Sequence, residues 1–198
     1  MTYIFDLDGT LYDKKGLKKW MALKAIRDFR PLKMFLAEKK SREELCLLET
    51  GEVSYERLYE CIAKYSGRSV DQARRWYEQW YMPSMVAQIR RHCPLRPGIR
   101  EKLDRIKAEG DGMVILSDYG SIHEKLQAIG LDESYFSRFL DSPSIGGYKP
   151  SARVFRNALE IIGARPEDCI MIGDNPVKDG GSEKVGIRYM HIEDFLKQ

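Results

Sequence analysis

Near its start the chain carries Thr2 to Phe5, mostly apolar and read as a short buried strand, and then sets Asp6 and Asp8 on either side of Leu7. Beyond it the period changes. Between 14 and 93, the stretches GLKKWMALKAIRDF, SREELCLLE, SYERLYECIAKYSG and DQARRWYEQWYM carry apolar residues three and four positions apart, the spacing of amphipathic helices. Ser41 with Glu44 predicts a capping box, Ser54 and Asp71 predict N-caps, and Pro31 and Pro83 are expected to break the region into shorter helices.

The segment CPLRPGIREKL, with two prolines and Gly98, punctuates the chain, and strand and helix then alternate. GMVILS, RFLDS, CIMIGD and IRYMH read as strands. GIREKLDRIKAEG, SIHEKLQAIG, PSARVFRNALEIIG with proline in its first turn, and the shorter PVKDGGSEKVG read as helices. Continuously apolar strands separated by helices imply a mostly parallel sheet covered on both faces. The expected fold class is α/β: a doubly wound, Rossmann-like core of residues 1–13 and 94–198, with an α-helical cap inserted at 14–93.

Composition narrows the function. A chain of 198 residues, 43% hydrophobic and 32% charged, has no apolar run near the roughly 20 residues of a membrane span. Met1 leads straight into a strand, without the segments of a secretion signal, so a cytoplasmic protein with no membrane partner is expected. Cys46, Cys61, Cys93 and Cys169 are widely spaced and read as reduced packing residues, and His92, His123 and His191 are too scattered for a zinc site. The net charge of +3 suggests no nucleic-acid partner. Its distribution says more: residues 14–92 hold 18 Lys and Arg against 10 Asp and Glu, and the remainder holds 15 against 20. A basic cover over an anionic substrate would look like this, although on charge alone a solvated helical face is the favoured reading. In RRWYEQWY, Trp76 with Trp80 and Tyr77 with Tyr81 form two helical stripes, better explained by packing inside the cap than by a base-stacking or sugar-binding surface.

Polar residues collect where the strands end: Asp6 and Asp8 after the first, Ser117 and Asp118 after GMVIL, Lys149 in GGYKPSA, and Asp174 and Asp179 in GDNPVKD. In an open parallel sheet, ligands bind at the carboxyl ends of the strands. Carboxylates, one hydroxyl and one ammonium are an inventory for Mg²⁺ and phosphate, because Mg²⁺ prefers hard oxygen ligands and bridges to phosphate. A carboxylate pair closing a buried strand is costly without a cation.

Taken in order, IFDLDGTLYD, VILSDYG, GGYKPSARVF and MIGDNPVKD resemble the four motifs of the haloacid dehalogenase (HAD) superfamily, and the resemblance covers essentially the whole chain. It implies a HAD-like core with a helical cap and an Mg²⁺-dependent phosphatase acting on a small phosphorylated metabolite through an aspartyl-phosphate. Asp6 would be the nucleophile and Asp8 the general acid and base, a role that calls for a carboxyl able to protonate near neutral pH. Asp6, the backbone carbonyl of Asp8 and Asp174 would hold the metal. Ser117 would hydrogen-bond the phosphoryl group, Lys149 would offset its charge as a mobile ammonium, and Asp118 would offer its backbone N–H. Asp118 stands where the family often has asparagine, so its carboxylate would repel phosphate unless paired. Thr10, placed with the phosphate-binding residues, would hold Asp8, Asp179 would orient Lys149 or a metal-bound water, and Gly9 and Gly173 would support the turns. Asp8 argues for phosphate over halide chemistry, since the dehalogenases lack an aspartate there. The chemical alternative is a phosphomutase using the same intermediate. A phospho-accepting receiver or binding module fits less well, because it has no helical insertion after its first strand.

Overall fold

A computed structural model of the chain describes residues 1–48 and 53–198, so Glu49, the end of the SREELCLLE run, lies outside the described residues. Strands β1 (Thr2–Phe5), β2 (Gly112–Ser117), β3 (Arg138–Asp141), β4 (Cys169–Gly173) and β5 (Arg188–His191) form one parallel sheet in the order β3, β2, β1, β4, β5. Side chains alternate across it, as a strand's two-residue period requires. Phe5, Met113, Ile115, Ile170 and Ile172 share one hydrophobic cluster with residues of α6 (Ile99–Ala108), α7 (Ile122–Ala128) and α9 (Ile192–Lys197). Ile4, Val114, Leu116 and Met171 form the opposite cluster with α8 (Ala152–Ile162). Burial on both faces is why the strands read as unbroken apolar runs. The proline expected in the first turn of α8 lies just ahead of it: Ser151 is the N-cap, accepting from the Arg153 N–H.

The cap is inserted between β1 and α6. It comprises α1 (Leu17–Arg27), α2 (Lys33–Leu45), α3 (Tyr55–Ser66), α4 (Val70–Trp76) and α5 (Met82–His92). Ser54 caps α3 as expected, by accepting from Arg57. Ser41 does not start a helix; it lies within α2 and donates to the Ala37 carbonyl at 2.7 Å. The cap of α4 is Ser69 rather than Asp71, because Ser69 and Gln72 satisfy each other's backbone N–H groups reciprocally. Nor does Pro83 break the chain. A π-helical turn, Tyr77–Tyr81, joins α4 to α5, and proline falls in the first turn of α5, where its missing N–H and fixed φ are tolerated.

Trp76, Tyr77, Trp80 and Tyr81 are all buried, in agreement with the packing reading of RRWYEQWY. Trp76 stacks on Tyr81, and Phe35 of α2 meets Trp76 and Trp80 edge-on. The same cluster runs from Leu58 and Ile62 in the cap to Phe5 in the sheet, and α5 packs on α7, so cap and core share one hydrophobic body. Among the described residues no helix is long and apolar enough to cross a membrane.

From β1 the chain moves outward to β2 and β3, then returns past β1 to build β4 and β5. The direction therefore reverses between β1 and β4, and the crevice outside their carboxyl ends is where such a sheet binds ligands.

Candidate active site

Asp6 follows β1 directly and is 6% exposed. Its carboxylate accepts from the Lys149 ammonium at 2.7 Å and from the Thr10 hydroxyl at 2.9 Å. Thr10 is thus tied to Asp6 and not, as expected, to Asp8; the turn brings its hydroxyl, itself fully buried, back onto the first carboxylate. The Lys149 ammonium, expected as a mobile charge, has three acceptors among the described residues. Buried almost completely, it also donates to Asp179 at 2.7 Å and to the Leu116 carbonyl at 3.3 Å. Burial, with the charges of Asp179 and Asp8 beside it, pushes Asp6 up to about 7 against the pull of Lys149. Lys149 itself is held well above its ordinary value: burial opposes its charge, but Asp179, Asp6 and Asp118 outweigh it.

Asp8 points the other way, into a clamp. Lys125 of α7, with no exposed surface, donates to both its oxygens at 2.8 and 2.9 Å. Ser117 donates to it at 2.9 Å, and the Tyr12 hydroxyl donates to it as well. Burial disfavours the charge, yet Lys125, Tyr12 and Ser117 hold the Asp8 carboxyl below the ordinary range. This corrects the expectation that Asp8 is the readily protonated carboxyl: the buried lysine was not foreseen, and Asp6 is the one pushed upward. Ser117 has its hydroxyl turned to Asp8, while its oxygen accepts from the Tyr119 N–H at 3.1 Å.

The extra carboxylate of Asp118 is paired rather than repelling. It accepts from Ser142 at 2.8 Å, Lys178 at 2.9 Å and the Lys149 N–H at 3.2 Å. Burial opposes the charge, but Lys149, Lys178 and Ser142 bring it down to about 2. Two glycines make room. Gly9 adopts φ +104°, and a Cβ there would meet Lys14 and Asp174; a Cβ on Gly173 would collide with the Asp179 carboxylate.

The donor set fits a hard divalent cation. Asp6, Asp174 and Asp179 each offer a carboxylate oxygen, all within 4.8 Å of one another. A cation already finds the spot attractive: the Lys14 ammonium lies 2.7 Å from the Asp8 carbonyl oxygen and 2.8 Å from Asp174.

The sequence pattern placed none of Lys125, Tyr12, Lys178, Arg42 and Lys14 in the site. Arg42, on α2, is 6% exposed, lies 3.8 Å over the Tyr119 ring, and donates to the Asp118 carbonyl, the Tyr77 hydroxyl and Glu38. Tyr119 also lies 5.2 Å beneath Lys125, so this one ring connects a cap arginine to the lysine on Asp8. A signal was present: Lys125 and Arg42 fall on the buried stripes of their helices, with Ile122 and Leu126 and with Met34 and Leu45 respectively. Charge at a core position implies a buried partner.

A capped, doubly wound α/β sheet with carboxylates at its switch point defines an enzyme of the Rossmann-like class. The profile of the haloacid dehalogenase-like hydrolases matches residues 1–181. A phosphoserine phosphatase of Thermus thermophilus is 31% identical over 145 residues, covering 72% of this chain, which spans 55% of that relative's length. A glyceraldehyde 3-phosphate phosphatase of Pyrococcus furiosus is 30% identical over 198 residues, with 93% of this chain and 77% of the relative covered. In fold the chain is similar to YfnB of Bacillus subtilis, solved with magnesium bound: TM-score 0.64 at 20% identity, covering 95% of this chain and 86% of that one. The chain belongs to the haloacid dehalogenase-like hydrolases, in company with members named as phosphatases.

Proposed function

We propose that the protein is a Mg²⁺-dependent phosphatase of a small phosphomonoester, working through a phosphoryl group carried on Asp6, with a core of residues 1–13 and 94–198 and a cap of 14–93. The observation that supports this most is the division of labour at the end of β1. Asp6 opens onto a cluster with Asp174 and Asp179, whereas Asp8, two residues on, is clamped by Lys125, Tyr12 and Ser117. Asp6, Asp174 and the Asp8 carbonyl would hold the metal, which when bound supplies charge neutralisation between an anionic nucleophile and an anionic phosphate.

Asp6 attacks phosphorus in line and the ester oxygen leaves. That oxygen needs a proton, which Asp8 delivers by relay: the Lys125 ammonium, which burial pulls below its ordinary value, donates to both Asp8 oxygens and passes the proton on, while Tyr12 holds the carboxylate in place. In the second half Asp8 takes the proton of the attacking water, phosphate leaves Asp6, and the clamp is restored. Lys149 offsets charge at Asp6 from a fixed position, and the backbone after Ser117, held by the paired Asp118, receives phosphoryl oxygens. The cap excludes water and touches the leaving group. The four unpaired cysteines suit a reducing compartment such as the cytoplasm.

Two assays test this. Purified protein with Mg²⁺ releases phosphate from an aryl phosphate, and Asp6→Asn, folded by circular dichroism, loses at least about 10⁴-fold in kcat. Undiminished turnover by that variant contradicts the nucleophile assignment. Interconversion of glucose 1- and 6-phosphates without phosphate release would mark a mutase.

A further inference from the structure

Two grooves on the cap differ in character. One, of about 360 Å³, is lined by Glu56, Glu78, Tyr55, Tyr59 and Tyr77 and reaches the core loop at Gly120. The other, of about 470 Å³, is formed by cap residues alone; its polar lining residues are Arg30, Arg68, Arg75, Gln72 and Gln79, and the indole N–H of Trp80 in its wall is already donated to Asp28 at 2.9 Å. We propose that this second groove is a binding site for a small phosphorylated anion, separate from the catalytic centre.

The three arginines come from three places in the chain: the α1–α2 connection, the α3–α4 connection and α4 itself. Among the described residues no acidic side chain lines the groove and none of the three arginines has a carboxylate partner. Their neighbours do: Arg74 pairs with Glu56 and Arg57 with Glu60. Arg30 lies 5.8 Å over the Trp80 ring, which gives its guanidinium a support at the rim.

The remaining polar groups also favour an acceptor. The Gln72 side-chain oxygen is engaged by the Ser69 N–H, which leaves its amide N–H₂ to donate. Trp76, 7% exposed, forms part of the groove wall, so its indole signal reports on what the groove holds. Three guanidinium groups without a carboxylate partner around one concave surface point to an acceptor-rich ligand. Phosphate takes bidentate hydrogen bonds from arginine and several donors at once. The volume is that of a small-molecule site. Charge excess in the cap, which by itself reads as a solvated face, is here concentrated on one concave surface.

The test is a titration of Mg²⁺-loaded, ¹⁵N-labelled protein with methylenediphosphonate, a diphosphate analogue that water does not cleave, observing the indole N–H signals at constant ionic strength. The Trp76 signal, assigned with Trp76→Phe, is expected to shift to saturation. In Arg68→Gln/Arg75→Gln the concentration required rises about ten- to a hundredfold, while melting temperature and aryl phosphate turnover stay at wild-type values. Ser117→Ala, which weakens the catalytic centre, leaves the Trp76 titration unchanged. The proposal is overturned if only core signals respond, if chloride at the same ionic strength reproduces the shift, or if the double arginine variant titrates like wild type.

Discussion

At the carboxyl end of β1, Asp6 faces Asp174 and Asp179 across a cluster whose negative charge Lys149 and Lys14 only partly offset. On α2 of the cap, Glu38 and Arg42 are as deeply buried, but they meet each other, and Arg42 spends its remaining donors on Tyr77 and the Asp118 carbonyl. Both regions take charge out of water, which is expensive. The first retains oxygens for a cation and a reaction; the second is closed and pins the cap to the loop after β2. Asp8 stands between them, the carboxylate proposed to move protons and the one held by a clamp, connected to Arg42 through Lys125 and Tyr119.

Removing the clamp is expected to have the largest effect on stability. Lys125→Met leaves Asp8 buried without its cation, so urea unfolding should show a loss of about 3–5 kcal/mol, and phosphate release from an aryl ester should fall about 10²-fold or more. Wild-type stability in that variant would mean that the pair is not the anchor of Asp8. In the cap, Arg42→Met should cost about 3 kcal/mol by the same measurement, chiefly because Glu38 is stranded. Adding Glu38→Leu should recover most of it, and a failure to recover would assign the cost to the Tyr119 and Asp118 contacts instead.

Acid sharpens the contrast. The folded pKa of Asp118, about 2, lies below its ordinary value of 3.8, so its pairing stabilises the fold above pH 4 and is lost as pH falls through 2. That contribution is about 2 kcal/mol. Asp118→Asn should flatten this part of the stability profile, and an unaltered slope would show that the charge does not matter there. The smallest effect belongs to Lys14, whose side chain is 45% exposed. Lys14→Met removes a cation that competes for the Asp8 carbonyl and Asp174, so Mg²⁺ should bind about two- to fivefold more tightly by calorimetry.

The strand ends were readable from the sequence because each of their residues closes an apolar run: Asp6 after Ile4 and Phe5, Ser117 after Leu116, Asp174 after Gly173. Period and position together marked them, and all five strands follow the same logic. The seam was harder. Arg42 and Lys125 belong to helices whose charged residues are mostly solvated, and only their places on the buried stripe separate them from exposed neighbours such as Lys39 and Glu124. Their partners lie 76 and 117 residues away, beyond the reach of local pattern. The assignment of Thr10 to Asp8 failed for a related reason: the sequence brings the turn together but does not say which carboxylate the hydroxyl meets. Pro83 shows the limit for backbone, where a π-helical turn kept one rod continuous through a residue that ordinarily ends it.

The central claim is that Asp6, and not Asp8, carries the phosphoryl group. Protein mixed with Mg²⁺ and an aryl phosphate, quenched in acid within the first turnover and mapped by mass spectrometry, should hold a phosphoryl group on the peptide containing Asp6, located to that residue and absent in Asp6→Asn. A phosphoryl group on Asp8, or phosphate release that survives Asp6→Asn, would contradict the account.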